Sequence, residues 1–320
     1  MPGVTAALLG NLDVRREFGK VGTQSDIHLH DFKTGDLDVT VIVPDRYPDK
    51  LQSLSYALTG SDAAILVVPE LNARVGEQIL AADAAGIAHG AIVLQNYLQP
   101  EQIQPLLAGT SLEGWKLFTE EDWPAVREHM ATIPSTPKEG AAMVPVDHHF
   151  NVKGVGAVVL GVVKQGEVKK NDSLVAHPAG VLCPVRSIQV HDVDVPTAVT
   201  GDRVGLALRN TDADKLDRGM VLALADAPLE SLAVGAQVTF KLRRSPFSKQ
   251  PLAAGSVVHL GLGMQLVPLR LEADAPGAGQ EGTVTGTLEK GLVHAPGDQG
   301  ILWHMDSAPQ RVVGRVAFNE

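Results

Sequence analysis

The residues best placed for chemistry lie directly after an apolar run at positions 4–9. Gly10 and Asp13 are followed by Arg15, Arg16 and Glu17. A phosphate-binding loop, Gly-x-x-x-x-Gly-Lys-Ser/Thr, needs a second glycine so that backbone N–H groups can surround the phosphate. It also needs a lysine to neutralise the phosphate and a hydroxyl to bind magnesium. Because arginines and a glutamate stand at those three positions, we predict that nucleotide and magnesium binding in this mode is lost.

Two other interpretations of this charged segment stay open. Asp13, Arg15, Arg16 and Glu17 could form a new site for an anion or a partner. They could equally lie on a short exposed helix of mixed charge.

A second candidate site is the basic stretch at residues 241–249. Lys241, Arg243, Arg244 and Lys249 surround Phe247 in a chain that is otherwise acidic. Such a cluster could contact the phosphate backbone of RNA. A solvated basic loop without a ligand is the alternative.

Several histidines are close in sequence and raise the question of a metal site. They are His28 with His30, His148 with His149, and His191 beside Asp192. Because no third and fourth ligand recurs at a recognisable spacing, we predict no metal site and interpret these histidines as surface residues. The hydrolase, zinc-protease and dinucleotide-binding motifs are absent as well, so no other enzyme class is indicated.

The elements that must position these residues change in type near residue 130. Before it, apolar strands alternate with helical patterns, which predicts βαβ units around a mostly parallel sheet. We predict strands at 4–9, 27–32, 39–43, 63–68 and 91–94, and a hairpin across the turn 33–36. Helices are predicted at 51–58 and 75–85, the second with Gly86 at its end, and a last helix is predicted to begin at Thr119 as N-cap and end near Met130.

Beyond that point, short β-branched runs separated by Gly, Pro, Asn and Asp are typical of β-barrels. The predicted fold class is therefore an α/β domain with a mostly parallel sheet, followed by two all-β barrels. We predict a first domain at 1–132, a Pro-rich linker at 133–140, and barrels at 141–226 and 227–320.

Composition restricts the function classes. The chain has 320 residues, of which 44% are hydrophobic and 20% charged, as expected for a globular protein of two or three domains. No apolar run reaches the roughly 18 residues of a membrane span, and the start lacks the basic flank of a secretion signal. We therefore expect a cytoplasmic protein without a membrane partner. The single cysteine, Cys183, is predicted to be a buried strand residue.

The net charge of −10 argues against a protein that coats DNA or RNA through bulk electrostatics, although it allows a local RNA site. Aromatic residues are only 4%, which argues against platforms for base stacking.

Five segments of the second half carry a resemblance to a known family. They are Phe-Asn-Val-Lys-Gly-Val-Gly-Ala-Val-Val-Leu-Gly (150–161), Gly-Glu-Val-Lys-Lys-Asn-Asp (166–172), Val-Arg-Ser-Ile-Gln-Val-His (185–191), Ala-Val-Thr-Gly-Asp-Arg-Val-Gly-Leu (198–206) and Arg-Gly-Met-Val-Leu (218–222). In order and spacing they resemble the second domain of elongation factor Tu, the selenocysteine factor SelB and their relatives. Residues 238–242 and 255–261 resemble the third-domain barrel of SelB-type factors.

The resemblance implies a GTPase-like first domain, in which Gly10 and Asp13 match the family pattern and the other motifs are degenerate. Family members carry Asp-x-x-Gly-His, for magnesium and the attacking water, where this chain has residues 43–51 without a counterpart of the histidine. The guanine-reading Asn-Lys-x-Asp is replaced by residues 95–97, Gln-Asn-Tyr. Residues 22–27 and 46–54 resemble an archaeal group of Tu-like or SelB-like proteins that lack GTPase motifs. We therefore expect no GTPase activity and no GTP or magnesium cofactor.

Three functional hypotheses follow. The first is a non-hydrolysing elongation-factor-like protein that binds tRNA or ribosomal components without a GTP cycle, with its domain arrangement fixed or set by a partner. The second is a regulatory or structural adaptor that docks proteins on the inactive first domain. The third is an atypical translational GTPase that still binds GTP.

Overall fold

The computed structural model describes residues 3–35, 37–134 and 138–319. Asp36 of the predicted turn and residues 135–137 of the predicted linker lie outside the described residues. Ile133, which the sequence assigned to the linker, is buried in the apolar core of the first domain.

The first domain is a seven-stranded sheet covered by helices. Its central strand β1 reads Val-Thr-Ala-Ala-Leu-Leu-Gly and is buried along nearly its whole length, as expected for a parallel strand covered on both faces. The strands are β1 (Val4–Gly10), β2 (Lys20–Gln24), β3 (His28–Thr34), β4 (Leu37–Val43), β5 (Ala63–Val68), β6 (His89–Leu94) and β7 (Lys116–Phe118). The helices are α1 (Leu51–Thr59), α2 (Ala73–Ala84), α3 (Pro100–Leu107) and α4 (Trp123–Ala131).

The strand order is β2-β3-β4-β1-β5-β6-β7. Strands β4, β1, β5, β6 and β7 are neighbours in that order, and each pairs in parallel with the next. The pairs β2–β3 and β3–β4 are antiparallel. The mostly parallel sheet and the hairpin formed by β3 and β4 are thus confirmed. This topology brings the carboxyl ends of β1, β4, β5 and β6 to one edge, where ligands bind in open α/β sheets.

One sequence prediction for a helix needs correction, and one helix was missed. The last helix begins at Trp123, because Asp122 accepts a hydrogen bond from the Ala125 amide at 3.1 Å and Pro124 fits the first turn. Thr119 is therefore not the N-cap. Helix α3 was not predicted, since it is short and buries only Ile103 and Leu107.

The second domain is a closed six-stranded barrel with short additional strands. Its elements are β8 (Met143–Val152), β9 (Gly156–Val162), β10 (Glu167–Lys169), β11 (Ser173–His177), β12 (Val181–Val190), β13 (Val193–Val195), β14 (Thr197–Val199), β15 (Arg203–Leu208) and β16 (Val221–Ala223). The order β11-β16-β8-β9-β15-β12 closes because β11 also pairs with β12. Cys183 is buried on β12, as predicted.

The third domain is a second closed barrel in the order β18-β21-β20-β19-β23-β24. Its elements are β17 (Glu230–Leu232), β18 (Gln237–Arg244), β19 (Val257–Leu262), β20 (Gln265–Leu271), β21 (Glu281–Leu288), β22 (Leu292–His294), β23 (Gln299–Trp303) and β24 (Val312–Ala317). Strand β18 alternates strictly between exposed and buried residues, which is the pattern of a barrel wall. The predicted fold class, an α/β domain followed by two β-barrels, is confirmed.

Candidate functional site

The segment after β1 folds as a short 3-10 helix, Leu12–Phe18, and not as a phosphate-binding loop. Asn11 caps this helix, since its side-chain oxygen accepts a hydrogen bond from the Asp13 amide at 3.0 Å. The Gly10 amide donates to Gln78 Oε1 at 2.9 Å. The amide at the first position of the motif is therefore already bound within the protein.

Phe18 fixes the end of the 3-10 helix. Its ring is buried and packs edge-on against Trp123 at 5.8 Å between centroids, and it also contacts Phe32 at 6.2 Å. Arg127 donates to the Glu17 carbonyl at 2.5 Å. Asp13, Arg16 and Glu17 stay exposed on this helix. The segment is thus held by α4 and β3 in a conformation that leaves no loop to surround a phosphate.

Arg15 closes the edge of the sheet between β1 and β4. Its guanidinium donates to Asp45 Oδ1 at 2.5 Å, and His28 Nδ1 lies 3.6 Å from the same oxygen. Asp45 follows β4, in the segment where GTPases carry their magnesium-binding aspartate. Because Arg15 supplies a positive charge to Asp45 directly, this carboxylate does not need a metal ion to balance it.

A chain of side-chain hydrogen bonds crosses the same edge from β1 to the segment that precedes α4. Asn11 Nδ2 donates to Gln95 Oε1 at 2.9 Å, and Gln95 Nε2 donates to Glu121 Oε2 at 2.9 Å. These residues belong to the segments that in a GTPase would approach the phosphates and the base. In this chain, side-chain hydrogen bonds join these segments directly to one another.

The described residues contain no arrangement that could hold a metal ion through three or more His, Cys, Asp or Glu side chains. The prediction that the paired histidines lie on the surface is wrong for His30. His30 is buried on β3, and burial is the largest cause that lowers the pKa of its imidazole. Its partner in sequence, His28, faces Asp45.

The basic stretch of the third domain divides into two parts. Lys241, Arg243, Lys249 and the aromatic ring of Phe247 are exposed, and the Phe247 side chain is 62% exposed. Arg244 is 4% exposed and donates to the carbonyls of Ser248, Gln250 and Pro276. The prediction of Arg244 as an RNA contact is therefore wrong, because its donors are used inside the loop. It fixes the loop that presents Phe247 and Lys249.

A buried ion pair joins the first and third domains. Glu77 on α2 is 1% exposed, and Arg311 donates to its two oxygens at 2.9 and 2.7 Å. The Arg311 amide and the Tyr47 hydroxyl also donate to this carboxylate, both at 2.8 Å. Burial and the Glu77 carboxylate together raise the pKa of Tyr47, which keeps its hydroxyl protonated as a donor. All four groups are hydrogen-bonded, as a buried charge requires.

An apolar contact extends the same junction. The core between the sheet and helices α1 and α2 continues into the third domain through Met264, Ile301, Trp303 and Val312. Trp303 is fully buried, and its indole Nε1 donates to Ser55 Oγ on α1 at 3.1 Å. Gly261 permits this approach, because a Cβ atom there would lie 2.3 Å from Ser55 Oγ.

The first and second domains meet through charged residues. Arg218 donates to Asp26 at 2.5 Å and to Ser25 Oγ at 3.0 Å. Arg203 donates to Asp147 at 2.5 Å and to Thr23 Oγ1 at 3.2 Å. Burial alone would raise the pKa of Asp147 and of Asp26, but the arginines, with His148 beside Asp147, lower both below their ordinary value of 3.8.

Sequence reasoning missed these interdomain residues. Glu77 and Arg311 are 234 positions apart, and Asp26 and Arg218 are 192 apart. A lone glutamate on the buried face of a predicted helix was the only available signal, since charged residues are seldom fully buried without a partner.

Comparison with known proteins agrees with this architecture. Residues 156–223 match the family of elongation factor Tu domain 2. An uncharacterised protein of Methanocaldococcus jannaschii is 33% identical over 316 residues, which are 98% of this chain and 99% of that protein. The selenocysteine-specific elongation factor of the same organism is 37% identical over 125 residues, 39% of this chain and 26% of the relative.

The crystal structure of translation elongation factor SelB from Methanococcus maripaludis in its apo form covers 100% of this chain, and the match spans 80% of that structure. The TM-score is 0.82 at 23% sequence identity, which shows a shared fold. The chain belongs to the elongation factor Tu and SelB-like family of translation factors. None of the helices in the described residues is both long and apolar enough to cross a membrane.

Proposed function

We propose that this protein is an elongation-factor-like protein of translation that binds tRNA or a ribosomal component without a GTP cycle. The observation that carries the proposal is the ion pair between Arg15 and Asp45, at 2.5 Å. It places a protein cation and its counter-ion between the two segments that in a GTPase hold the phosphates and magnesium. The hydrogen bonds from Asn11 to Gln95 and from Gln95 to Glu121 support the same conclusion.

The contacts between the first and third domains support a fixed arrangement. A GTPase switch needs two arrangements of similar free energy, which a ligand can bias. Separating these domains would expose Trp303 and leave Glu77 and Arg311 without their buried partner. Because breaking a buried ion pair is costly, the interface favours one arrangement.

The exposed part of the basic stretch supports an RNA partner. Lys241 and Lys249 form no ion pair in the described parts of the chain, and Arg243 is 4.0 Å from Asp83. These cations and the exposed ring of Phe247 lie on one loop and the strand that leads to it, which Arg244 holds in place. Cations beside an exposed aromatic ring suit a phosphate backbone and a neighbouring base.

Nucleotide binding tests the first half of the proposal. GTP and GDP are titrated by calorimetry at micromolar protein, with and without magnesium, beside an active elongation factor 1-alpha as positive control. We expect no saturable heat from this protein. Saturable binding at micromolar concentration would favour an atypical GTPase in its place.

RNA binding tests the second half. A gel-shift titration with tRNA is carried out on the unchanged protein and on Lys241→Glu, Lys249→Glu and Phe247→Ala. We expect each lysine variant to weaken binding on the order of tenfold and to reduce the slope of log affinity against log salt by about 1. Lys290→Glu, an exposed lysine elsewhere on the third domain, is the matched control. A protein that binds no tRNA and no ribosomal RNA would contradict the proposal.

One observation favours a second candidate, an adaptor that docks proteins on the first domain. Tyr97 is 96% exposed in the loop after β6, and Leu71, in the loop after the neighbouring strand β5, is also exposed. Exposed apolar residues in one region are typical of interaction surfaces. The adaptor is favoured if Tyr97→Ala abolishes a protein complex that survives ribonuclease treatment, while tRNA binding is absent.

A further inference from the structure

A cleft of about 310 Å³ opens between the segment after β1 and the start of α2. Its lining includes Asp13, Glu70, Arg74 and Gln78, with Pro69 and Tyr47 as apolar walls. Neither Arg15 nor Asp45 lines it, so the cleft is separate from the ion pair that closes the edge between β1 and β4. Its volume lies at the lower end of the range for small-molecule sites.

Gln78, one of the residues that line the cleft, has an unused donor. The side chain is fully buried, and its Oε1 accepts a hydrogen bond from the Gly10 amide at 2.9 Å. Because that amide can only donate, the side-chain oxygen of Gln78 must face it. The Nε2 group is therefore the part of the side chain that is left without a role in this bond. Nε2 has no hydrogen-bond partner among the described residues. Buried donors are nearly always paired, so this group requires an acceptor that the chain does not supply.

The start of α2 adds further donors on the same side. Asn72 Oδ1 accepts from the Val75 amide at 3.0 Å, which satisfies one amide of the first turn. The amides of Ala73 and Arg74 have no partner among the described residues, and the exposed Arg74 guanidinium forms no ion pair there. The helix dipole favours negative charge at this position as well.

Two carboxylates also line the cleft, Asp13 after β1 and Glu70 beside the start of α2. Asp13 and Glu70 are exposed, and neither takes part in an ion pair within the parts of the chain that the structure describes. Asn72 Nδ2 donates to Glu70 Oε1 at 2.8 Å, which fixes that carboxylate. A simple anion would face these two carboxylates, and a simple cation would face Arg74. The charges therefore suit a ligand that carries both signs.

We propose that this cleft binds a small zwitterion the size of a free amino acid. Its carboxylate would accept hydrogen bonds from Arg74, Gln78 Nε2 and the first amides of α2, and its ammonium group would lie toward Asp13 and Glu70. Residues 10–13 line this cleft and belong to the segment that corresponds to the phosphate-binding loop. Binding of an amino acid there would require neither GTP nor RNA, so the GTP and tRNA titrations above test the proposed function separately from this inference.

Saturation-transfer NMR with a mixture of the standard L-amino acids at millimolar concentration tests the proposal. Each amino acid that receives saturation is then titrated alone, beside inorganic phosphate, acetate and putrescine. We expect one or a few amino acids to bind and the three simple ions not to bind. Binding of phosphate or of putrescine alone, or no transfer to any amino acid, would overturn the proposal.

Three variants locate the binding. Arg74→Ala and Asp13→Asn change exposed side chains, and each is expected to weaken binding at least about tenfold because one charge contact is lost. Gln78→Glu keeps an acceptor for the Gly10 amide and puts a carboxylate oxygen in place of the free donor, so it should abolish binding. Lys290→Ala is the control for loss of a surface cation. Unchanged affinity in both Arg74→Ala and Asp13→Asn would place the amino acid elsewhere and contradict the assignment.

Discussion

At the scale of single residues, Arg15 has the clearest consequence. Its side chain stands where the phosphate-binding motif has a glycine, and it pairs with Asp45. The proposed loss of nucleotide binding would then have two causes, the changed side chains and the changed backbone. The 3-10 helix, its cap at Asn11 and its anchor at Phe18 belong to the second cause.

These two causes can be separated. The triple change Arg15→Gly, Arg16→Lys, Glu17→Thr restores the residue types of a phosphate-binding loop. We expect it still not to bind a fluorescent GTP analogue at micromolar concentration, because Asn11 remains bonded to Gln95 and no guanine-reading aspartate is present. Saturable binding by the triple variant, with none by the unchanged protein, would show that these side chains alone prevent nucleotide binding.

Arg244 gives a second test at this scale. Replacing it by alanine removes several hydrogen bonds from a charged donor to loop carbonyls and leaves a space in the barrel end. We expect Arg244→Ala to lower the free energy of unfolding by about 3 kcal/mol in urea denaturation. Arg243→Ala, the exposed neighbour, should change it by less than about 1 kcal/mol. Equal losses in the free energy of unfolding for the two variants would contradict the conclusion that Arg244 stabilises this loop.

At the scale of elements, helix α2 connects the first domain to the third. Glu77→Gln leaves Arg311 at the interface without its counter-ion, so we expect a loss of about 3–5 kcal/mol in the free energy of unfolding. The matched control is Arg270→Ala, which removes a pair with Glu289 that is largely exposed. That change should cost less than about 1 kcal/mol. A loss below the control value would mean that the buried pair contributes nothing to the junction.

The elements also show what sequence can and cannot predict. Strands β1, β4 and β5 were predicted because runs of buried apolar residues reflect local burial, which a single segment records. The start of α4 was predicted wrongly, since Thr119 and Asp122 are both suitable caps and only tertiary packing decides between them.

The candidate sites show the same division. The substitutions at Arg15, Arg16 and Glu17 could be read directly, because the motif they replace has a fixed spacing. The pairing of Arg15 with Asp45, and the burial of Arg244, depend on how distant segments pack. A charged residue in a basic stretch carries no local sign that its side chain points inward, and only the alternation along β18 could have indicated it.

At the scale of the whole molecule, the two junctions differ in chemistry. The junction with the third domain combines an apolar core with the buried Glu77–Arg311 pair. At the junction with the second domain, Asp26 pairs with Arg218 across the interface, and Asp147 pairs with Arg203, which also contacts Thr23 of the first domain. We expect acid to weaken the junction with the second domain through these two carboxylates. Both carboxyl groups have pKa values below 3.8 in the folded protein, so their contribution is fully present above that pH.

As pH falls below about 3.8 the unfolded chain binds protons before the folded protein does, and stability declines. We expect the free energy of unfolding, measured by urea denaturation in a pH series, to fall steeply in this range. Asp147→Asn should be less stable at neutral pH and show a shallower decline. Asp226→Asn, an exposed carboxylate, is the control and should follow the unchanged protein. An identical slope for Asp147→Asn would contradict the link between this pair and acid sensitivity.

The contact between Ser55 and Trp303 also affects how the chain is made. The two residues are 248 positions apart, and the entire second domain is synthesised between them. During that interval, helices α1 and α2 have left the ribosome with an apolar face that nothing yet covers. The nascent first domain therefore keeps this apolar surface exposed until β23 and β24 have been synthesised. Chaperones that bind apolar surfaces can bind it during that interval.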